Sequence, residues 1–426
     1  MGSIAALAPR DTVSRSQWRV ALLPLDSGPG EIASIDGLRA IAALSVMLFH
    51  AYYLVSRSVV VAGIDITALW NYGQSGVHLF FVLSGFLLFM PYARAMLAGR
   101  PLPSARRFFQ RRALRILPAY WACLAILSLV QFTSLVSPAG LANVGMHLLM
   151  LHDDVAVMNR AIEGPFWSLA VEAQFYLALP IMAWIIAKVV GQTGSRKRII
   201  GGVLAMLIGA LALRSGDAYI QGHFARHPGV IGALATLFVH ATLGIQGKYL
   251  EVFALGMLCS VLYLAAQEES RRLRRSLRWI GPLLIALALV AIVLLAQVQL
   301  HQDILTPPYF LFMSAGNLRV ICAPLVAGLP YAALVLGALW SPRWLRAAFE
   351  AAPLRFVGFI SYSLYLWHLP ILTFAAPYAL RAPESLRIAM LVAVGFFVAI
   401  PVAYLSYQLI ERPFLAQRRR LTPQLA

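Results

Sequence analysis

The chain has 426 residues, of which 60% are apolar and 12% charged, and its mean hydropathy is +0.76. This composition excludes a soluble globular protein and indicates a polytopic membrane protein. The formal net charge is +18. A basic excess of this size can indicate nucleic-acid binding, but the positive-inside rule explains it more simply, so no nucleic-acid partner is expected.

The amino-terminal residues 1–33 carry Arg10, Arg15 and Arg19 among several Pro and Gly residues. Because this segment lacks the apolar core of a signal peptide, we expect a cytoplasmic tail and no cleaved secretory signal. A single transmembrane domain is predicted over 34–411, and the basic residues 412–426 are predicted to form a second cytoplasmic tail.

Ten apolar stretches approach the length of about 20 residues that a helix needs to cross a bilayer. With the amino terminus inside, 27 of the 35 lysines and arginines lie on the inner side. The predicted fold is an all-α bundle of about ten transmembrane helices with both termini in the cytoplasm. The predicted spans lie near 35–56, 75–96, 113–136, 166–190, 198–213, 249–266, 279–298, 318–340, 357–379 and 386–410.

The apolar stretch 230–243 is too short to cross comfortably and contains His240. If it were a span, the five arginines within 271–278 would lie outside. We therefore predict that this stretch is re-entrant or lies in the outer interface.

In the first predicted span, eleven residues lead from Arg39 to His50. Eleven helical residues make three turns, so the two side chains share one face about 16 Å apart. Ionisable groups inside a membrane are costly and usually serve chemistry or transport. This pair is the main sequence-based candidate for a functional site.

Three further polar residues fall within predicted spans. Glu172 is interpreted either as a buried glutamate that ties two helices together or as the partner of an imidazole in acid–base chemistry. His368 near the middle of its span and His78 near an outer end are each either functional or ordinary core residues. The step from Ser84 to Gly85 is interpreted as close helix packing.

Seven arginines and no acid occupy the segment ARAMLAGRPLPSARRFFQRRALRILPAY, which includes Arg111, Arg112 and Arg115. Arg112 and Arg115 are three residues apart at the foot of a predicted helix and so project from one face. Guanidinium groups bind phosphate oxygens in pairs, so this segment is a candidate clamp for a polyphosphate ligand. Anionic lipid headgroups are the competing ligand.

Other features of the sequence indicate no metal. Cys123, Cys259 and Cys322 lie in or beside apolar runs without metal-ligand spacing, so they are interpreted as packing residues. The outer loop 137–165 holds His147, His152, Asp153, Asp154 and Glu163. That loop either meets an external ligand or is an ordinary solvated loop.

Several motifs together resemble the membrane acyltransferase 3 family across the membrane core. They are IDGLRAIAALSVMLFH, GVHLFFVLSGFLL, FFQRRALRILPAYW, PFWSLAVEAQFY, ISYSLYLWHLP and YQLIERPF. Members of that family are integral membrane O-acyltransferases that move acyl groups, usually acetyl from acetyl-CoA, onto hydroxyls of carbohydrates or glycosides. The resemblance implies a multi-pass protein of the bacterial inner membrane, with acyl-CoA, a carbohydrate or glycoside acceptor and membrane lipids as partners.

The resemblance also assigns expected roles. The family's basic residue followed by a histidine falls on Arg39 and His50, and its paired arginines fall on Arg112 and Arg115. Glu172 and Glu411 match acidic positions of the family. At His78 the family often has Asp or another residue, so the acceptor side is expected to differ. The expected site residues are His50 and Glu172 as catalytic groups, Arg39, Arg111, Arg112 and Arg115 as donor-binding groups, and His368, Asp36, His78 and Glu411 as further candidates.

The expected mechanism has the phosphates of acyl-CoA bound by the arginines while the pantetheine arm extends toward His50. The imidazole then either takes the acyl group itself or removes the proton of the acceptor hydroxyl. A proton-coupled transporter or a lipid-linked glycan flippase is the alternative function, since it also uses intramembrane ionisable residues. A scaffold protein of an envelope-assembly complex is a third. The sequence leaves the oligomeric state open.

Overall fold

The computed structural model describes residues 32–420 except 57, 131–136, 155–161, 163, 192–193, 225–228, 244–247 and 301–317. Within that part of the chain the fold is helical apart from an antiparallel hairpin of β1 (Val60–Val61) and β2 (Ile64–Asp65), so the expected all-α class is confirmed. The helices are α1 Ala33–Val55, α2 Thr67–Asn71, α3 Gly76–Leu97, α4 Ala105–Val130, α5 Pro138–Leu148, α6 Phe166–Val190, α7 Arg196–His223, α8 Val230–Leu243, α9 Leu250–Glu268, α10 Arg271–Leu300, α11 Leu318–Trp340, α12 Arg343–Phe349, α13 Ala352–Phe359, α14 Ser361–Ala379, α15 Glu384–Val394, α16 Ile400–Ser406 and α17 Arg412–Arg420. Tight turns of helix occupy Tyr72–Ser75 and His152–Asp154, and wide π-helical turns occupy Gly395–Ala399 and Tyr407–Glu411.

The number of membrane crossings agrees with the sequence prediction. Nine helical segments of the described chain are long and apolar enough to cross a bilayer, and a tenth crossing is formed if α13 and α14 count together. The last segment is continuous from Glu384 to Gln417, because the two π-helical turns join α15, α16 and α17 without a break.

Two ion pairs between helix ends show that the helices they join run in opposite directions. Arg196 at the start of α7 pairs with Glu268 at the end of α9, at 2.8 Å. Arg115 near the start of α4 pairs with Glu411 near the end of the last crossing, at 3.3 Å. We call the end of the bundle at which α1 begins and α3 ends the arginine-rich end.

One predicted helix start is wrong, and one predicted span is bent. The third crossing was predicted to begin at 113, but α4 begins at Ala105, so Arg112 and Arg115 lie inside the helix rather than at its foot. The stretch 357–379 was predicted as one span; it consists of the end of α13 and all of α14, which meet at an angle of 76° around Ile360. A run of arginines lowers the hydropathy at the start of a helix, so hydropathy places that start too late. The bend depends on tertiary packing, which hydropathy does not report.

The short stretch 230–243 forms the helix α8, which fails the length required of a spanning helix. It packs on α7 and approaches the turn His152–Asp154. The chain therefore enters and leaves α8 at the end of the bundle opposite the arginine-rich end.

Helices α3 and α9 pack with their backbones in contact, as predicted from the Ser84–Gly85 step. A Cβ atom on Gly85 would lie 2.1 Å from the carbonyl oxygen of Phe253, and one on Gly256 would lie 2.0 Å from that of Val82. Both positions exclude any larger residue, which is the usual function of small residues in membrane bundles. Buried aromatic side chains, among them Phe253, surround this crossing.

A second close crossing fixes α1 at the arginine-rich end. A Cβ atom on Gly37 would lie 1.9 Å from the carbonyl oxygen of Phe349, and one on Gly358 would lie 2.0 Å from that of Asp36. Because the obstructing atoms belong to the backbone, neither helix can make room for a side chain without a shift of its backbone. The start of α1 is thus held against α12 and α13.

We expect Gly358→Ala to destabilise the protein, since an added methyl group must displace the backbone of α1. Overpacking of this kind costs about 1–3 kcal/mol. Thermal unfolding of the detergent-purified protein, followed by size-exclusion chromatography, measures the effect. Gly209→Ala is the matched control, because nothing lies within 4 Å of a Cβ atom there. Equal melting temperatures for the two variants would contradict the proposed close contact.

Candidate active site

A single uninterrupted helix, α1, carries both Arg39 and His50. The predicted rise of about 16 Å between them therefore applies. Both side chains are half-buried. Arg39 lies toward the arginine-rich end, and His50 lies three turns further along the same face.

The imidazole of His50 meets a second imidazole, that of His368 in α14. Nε2 of His368 lies 3.1 Å from Nδ1 of His50, and the ring centroids are 5.0 Å apart. His368 is almost completely buried, with 1% of its surface exposed. The structure thus joins two histidines that the sequence placed in separate spans.

The acceptors around this pair assign its protons. Nδ1 of His368 faces the carbonyl oxygens of Leu364 and Tyr365 at 3.0 and 2.9 Å, so this nitrogen is protonated and donates. Nε2 of His368 is then an acceptor, and Nδ1 of His50, which also faces the carbonyl oxygen of Val46 at 2.9 Å, is the donor. The lone pair of a neutral His50 therefore lies on Nε2.

Glu172 in α6 accepts hydrogen bonds from hydroxyl groups. Ser84 of α3 donates to one carboxylate oxygen, and the Tyr176 hydroxyl, one turn further along α6, also donates to the carboxylate. Glu172 is close enough to Arg39 and Arg112 for its negative charge to stabilise both guanidinium groups. The described contacts of this glutamate are thus with hydroxyls and arginines, and its pairing with His50 stays a prediction.

The arginines of α4 form a cluster with Arg39. Arg112 and Arg115 are three residues apart in a continuous helix and so share a face. Both Arg39 and Arg112 lie within electrostatic range of Arg115. Arg111 precedes them and is also half-buried. We call these four residues the arginine cluster.

Aromatic rings hold the guanidinium groups of the cluster in place. The Arg112 Cζ atom lies 6.0 Å from the ring centroids of both Phe108 and Tyr176. The Arg115 Cζ atom lies 6.0 Å from the ring of Tyr362. Such contacts stabilise a cation without neutralising it, so the cluster keeps its positive charge.

Glu411 is the counter-charge of Arg115. Nη1 of Arg115 lies 3.3 Å from Oε2 of Glu411, and the Ser363 hydroxyl donates to Oε1 at 2.5 Å. Glu411 is 2% exposed. It ends the π-helical turn that begins at Tyr407, and the wider winding of that turn changes the direction of the side chains that follow it.

Asp36 and His78 lie in different parts of the bundle. Asp36 pairs with Arg355 of α13 at 3.7 Å and lies within electrostatic range of Arg39, so it belongs to the arginine-rich end. His78 lies near the opposite end of α3, with its ring 5.4 Å from that of Tyr249. The structure does not bring His78 to the other candidate residues.

The loop 137–165, which was predicted to be an outer loop, is described in part, and its histidines are buried rather than solvated. His147 and His152 stack with their ring centroids 3.9 Å apart, and both, like Asp153, are 0% exposed. Burial, reinforced by the neighbouring His147, lowers the pKa of His152 to about 3. The pair is therefore neutral at physiological pH and packs as part of the fold. Glu163 lies outside the described residues.

Sequence reasoning missed the hydroxyl side chains that hold the two buried glutamates. Ser84 was interpreted as a packing residue, yet it also bonds Glu172. Ser363 and Tyr362 were not selected at all, although they lie beside Glu411 and Arg115. A hydroxyl residue in an apolar helix was the available signal, but hydroxyl residues are too common in such helices to identify a site.

Cys123 and Cys259 are buried in the core as expected, and the side chain of Cys322 lies outside the described residues. In the described part of the chain, no group of three or more His, Cys, Asp or Glu side chains is arranged to hold a metal ion.

Comparison with known proteins identifies the family. The family model described as Acyltransferase domain, Acyl_transf_3, matches residues 32–408. The chain belongs to the acyltransferase 3 family. The match includes the histidine pair, the arginine cluster and Glu172, and it ends three residues before Glu411. No solved structure matches the chain.

The relatives of this acyltransferase 3 protein are bacterial. Peptidoglycan O-acetyltransferase OatA of Listeria monocytogenes is 24% identical over 416 residues, which cover 90% of this chain and 55% of the relative. O-acetyltransferase OatA of Staphylococcus aureus is 24% identical over 405 residues, which cover 90% and 57%. Nodulation protein 10 of Rhizobium leguminosarum is 29% identical over 179 residues, which cover 36% and 44%. The chain thus spans little more than half the length of the two O-acetyltransferases.

Replacing Glu411 by Gln should destabilise this family member by about 3 kcal/mol, because Arg115 would keep its charge without its partner. Thermal unfolding in detergent measures the loss. Glu384→Gln is the control, since Glu384 is exposed at the start of α15. The double variant Arg115→Met with Glu411→Gln should recover part of the loss. Wild-type stability of the single variant would show that the ion pair does not hold the last helix.

Proposed function

We propose that this acyltransferase 3 protein moves an acyl group, acetyl in the simplest case, from acyl-CoA to a hydroxyl group of a carbohydrate or glycoside. The donor binds at the arginine-rich end, which faces the cytoplasm, and the acceptor approaches from the other side of a bacterial inner membrane. The distribution of 27 of the 35 basic residues on one side supports this orientation. The relatives named as peptidoglycan O-acetyltransferases support a carbohydrate acceptor.

The observation that carries the proposal is the contact between His368 and His50 at 3.1 Å. Together with the carbonyl oxygen of Val46 at 2.9 Å from the same Nδ1, this contact supports a proton on Nδ1 and a lone pair on Nε2, the arrangement in which His50 can act as a general base or nucleophile. A buried neutral acceptor behind the ring also stabilises the charge that develops on His50 when it takes a proton.

The donor site follows from the charge of the arginine cluster. Its four guanidinium groups lie near three carboxylates, those of Asp36, Glu172 and Glu411, and Asp36 also pairs with Arg355, so positive charge remains for phosphate groups. Guanidinium groups bind phosphate oxygens through paired hydrogen bonds. Because Arg39 and His50 share one face of α1, a donor with its phosphates on the cluster extends along that helix toward the imidazole.

The transfer step balances without a further reagent. Nε2 of His50 removes the proton of the acceptor hydroxyl while its oxygen attacks the thioester carbonyl carbon. The carbon–sulfur bond breaks, and the leaving thiolate takes the proton from His50, which gives the O-acyl ester and free CoA. In the alternative route Nε2 attacks the thioester carbon and the carbon–sulfur bond breaks, which gives an acyl-imidazole and the CoA thiolate. The acceptor oxygen then takes the acyl group as the carbon–nitrogen bond breaks, and the hydroxyl proton passes to the thiolate.

Glu172 acts from beside the arginines rather than behind the imidazole. Its carboxylate is held by Ser84 and Tyr176 and lies in electrostatic range of Arg39 and Arg112. In this position it orients the guanidinium groups of the donor site. This proposed role of Glu172 in the donor site differs from the catalytic role that the sequence predicts.

His50→Ala should lower acylation by at least about 10²-fold, because it removes the general base. The assay follows transfer of label from radiolabelled acetyl-CoA to added glycan in vesicles that contain the purified protein. His223→Ala, which changes an exposed histidine at the end of α7, is the control. Normal transfer by well-folded His50→Ala protein would refute the mechanism. Acceptor transport without thioester consumption would favour the transporter alternative.

His368 is a positioning residue. Its variants should distinguish a role in orienting His50 from a role in helix packing. His368→Ala should lower kcat about 10-fold to 100-fold with little change in the KM for acetyl-CoA. His368→Gln should recover activity, because its amide oxygen can accept the proton of His50 Nδ1. Equal loss in both variants, with normal stability, would show that the histidine contact does not orient His50.

Arg112→Ala should raise the KM for acetyl-CoA about tenfold while the KM for the acceptor stays the same, since a charge-assisted contact to phosphate is lost. Initial rates at varied donor and acceptor concentrations measure both constants. Arg106→Ala is the control because Arg106 is exposed in the first turn of the same helix. A rise in the acceptor KM alone would place the acceptor, rather than the donor, at the arginine cluster.

A further inference from the structure

A cavity of about 510 Å³ opens at the arginine-rich end, away from the arginine cluster. It lies between the first turns of α10 and the junction of α11 with α12, and it is lined by Arg278, Ser341, Pro342, Arg343 and Arg346. A smaller cavity of about 210 Å³ adjoins it and shares Arg278, Ser341 and Arg346. None of these residues belongs to the site described above.

The larger cavity presents cationic donors and no acid. No described carboxylate pairs with Arg278 or Arg343, and of the three arginines only Arg346 has an ion pair, with Glu350 at 3.1 Å. The indole nitrogen of Trp340, in the wall of the smaller cavity, is buried and donates to no described group. Three guanidinium groups, two of them without a described carboxylate partner, are the chemistry that recognises a phosphate group, and the indole N–H in the adjoining cavity can donate to an ester oxygen of the same lipid.

The surroundings of the cavity indicate a membrane lipid. Trp279 and Trp344, which follow Arg278 and Arg343 directly, are 76% and 69% exposed. Exposed tryptophans of this kind lie at the level of the lipid headgroups. The smaller cavity is lined mainly by apolar side chains, including those of Leu277 and Leu339. A polar cavity that continues into an apolar one fits a headgroup joined to acyl chains.

We propose that this cavity binds the phosphate group of an anionic phospholipid, with the start of its acyl chains along the smaller cavity. Basic pockets between helices on the cytoplasmic side commonly bind anionic headgroups in this way. The binding is independent of the acyl-transfer chemistry, because the lining residues and the arginine cluster do not overlap. The soluble phosphates of CoA share the same chemistry and are the other possible source of the ligand.

Native mass spectrometry of the detergent-purified full-length chain, titrated with phosphatidylglycerol or phosphatidylcholine, tests this proposal. The variant Arg278→Ala with Arg343→Ala should weaken phosphatidylglycerol binding roughly thirtyfold, as expected for two lost cations near a headgroup. Binding of phosphatidylcholine should not change. Trp340→Phe, which removes only the N–H donor, should weaken phosphatidylglycerol binding less than the double variant does.

The variant Arg106→Ala with Arg107→Ala is the matched control, because it removes two exposed arginines from the same end of the bundle. It should keep the wild-type affinity for phosphatidylglycerol. Equal loss in the two double variants would overturn the proposal and indicate general surface charge. A titration with CoA separates the two sources of phosphate: if the cavity variant loses CoA but keeps phosphatidylglycerol, the cavity belongs to the donor, and the lipid assignment is wrong.

Discussion

Ionised side chains inside a bilayer require partners, and this requirement organises the whole bundle. The described membrane core meets it by pairing Arg115 with Glu411 and Arg214 with Glu251, and by surrounding Glu172 with hydroxyl groups. Both ion pairs, and the contact between Ser84 and Glu172, join different helices. The polar groups of the core therefore help to set which helices can be neighbours.

His50 and His368 show that neutral polar groups in the membrane core also have partners. His368 occupies an almost closed position, where two carbonyl oxygens hold its Nδ1 proton. Its remaining nitrogen and the carbonyl oxygen of Val46 both accept from Nδ1 of His50 on another helix. In the proposed mechanism these acceptors orient the imidazole before any substrate arrives, as preorganised groups do in enzymes generally.

The sequence was a good guide wherever a periodic pattern lies within one helix. The crossings, the alignment of Arg39 with His50 and the spacing of Arg112 and Arg115 all follow from such patterns. It was a poor guide wherever two helices meet. Nothing in the order of residues states that His368 faces His50, or that Ser84 faces Glu172, because those contacts depend on how the helices pack. The bend near Ile360 and the early start of α4 were missed for related reasons, since packing and charge hide them from hydropathy.

The wide turn Tyr407–Glu411 has a consequence for the evolution of this helix. An α-helix turns by about 100° per residue, and a π-helical turn contains one residue more than an α-helical turn would. Deleting a single residue there would leave the composition and hydropathy of the segment almost unchanged, yet it would rotate the carboxylate away from its guanidinium partner. The structure therefore constrains the number of residues in this turn and not only their identity.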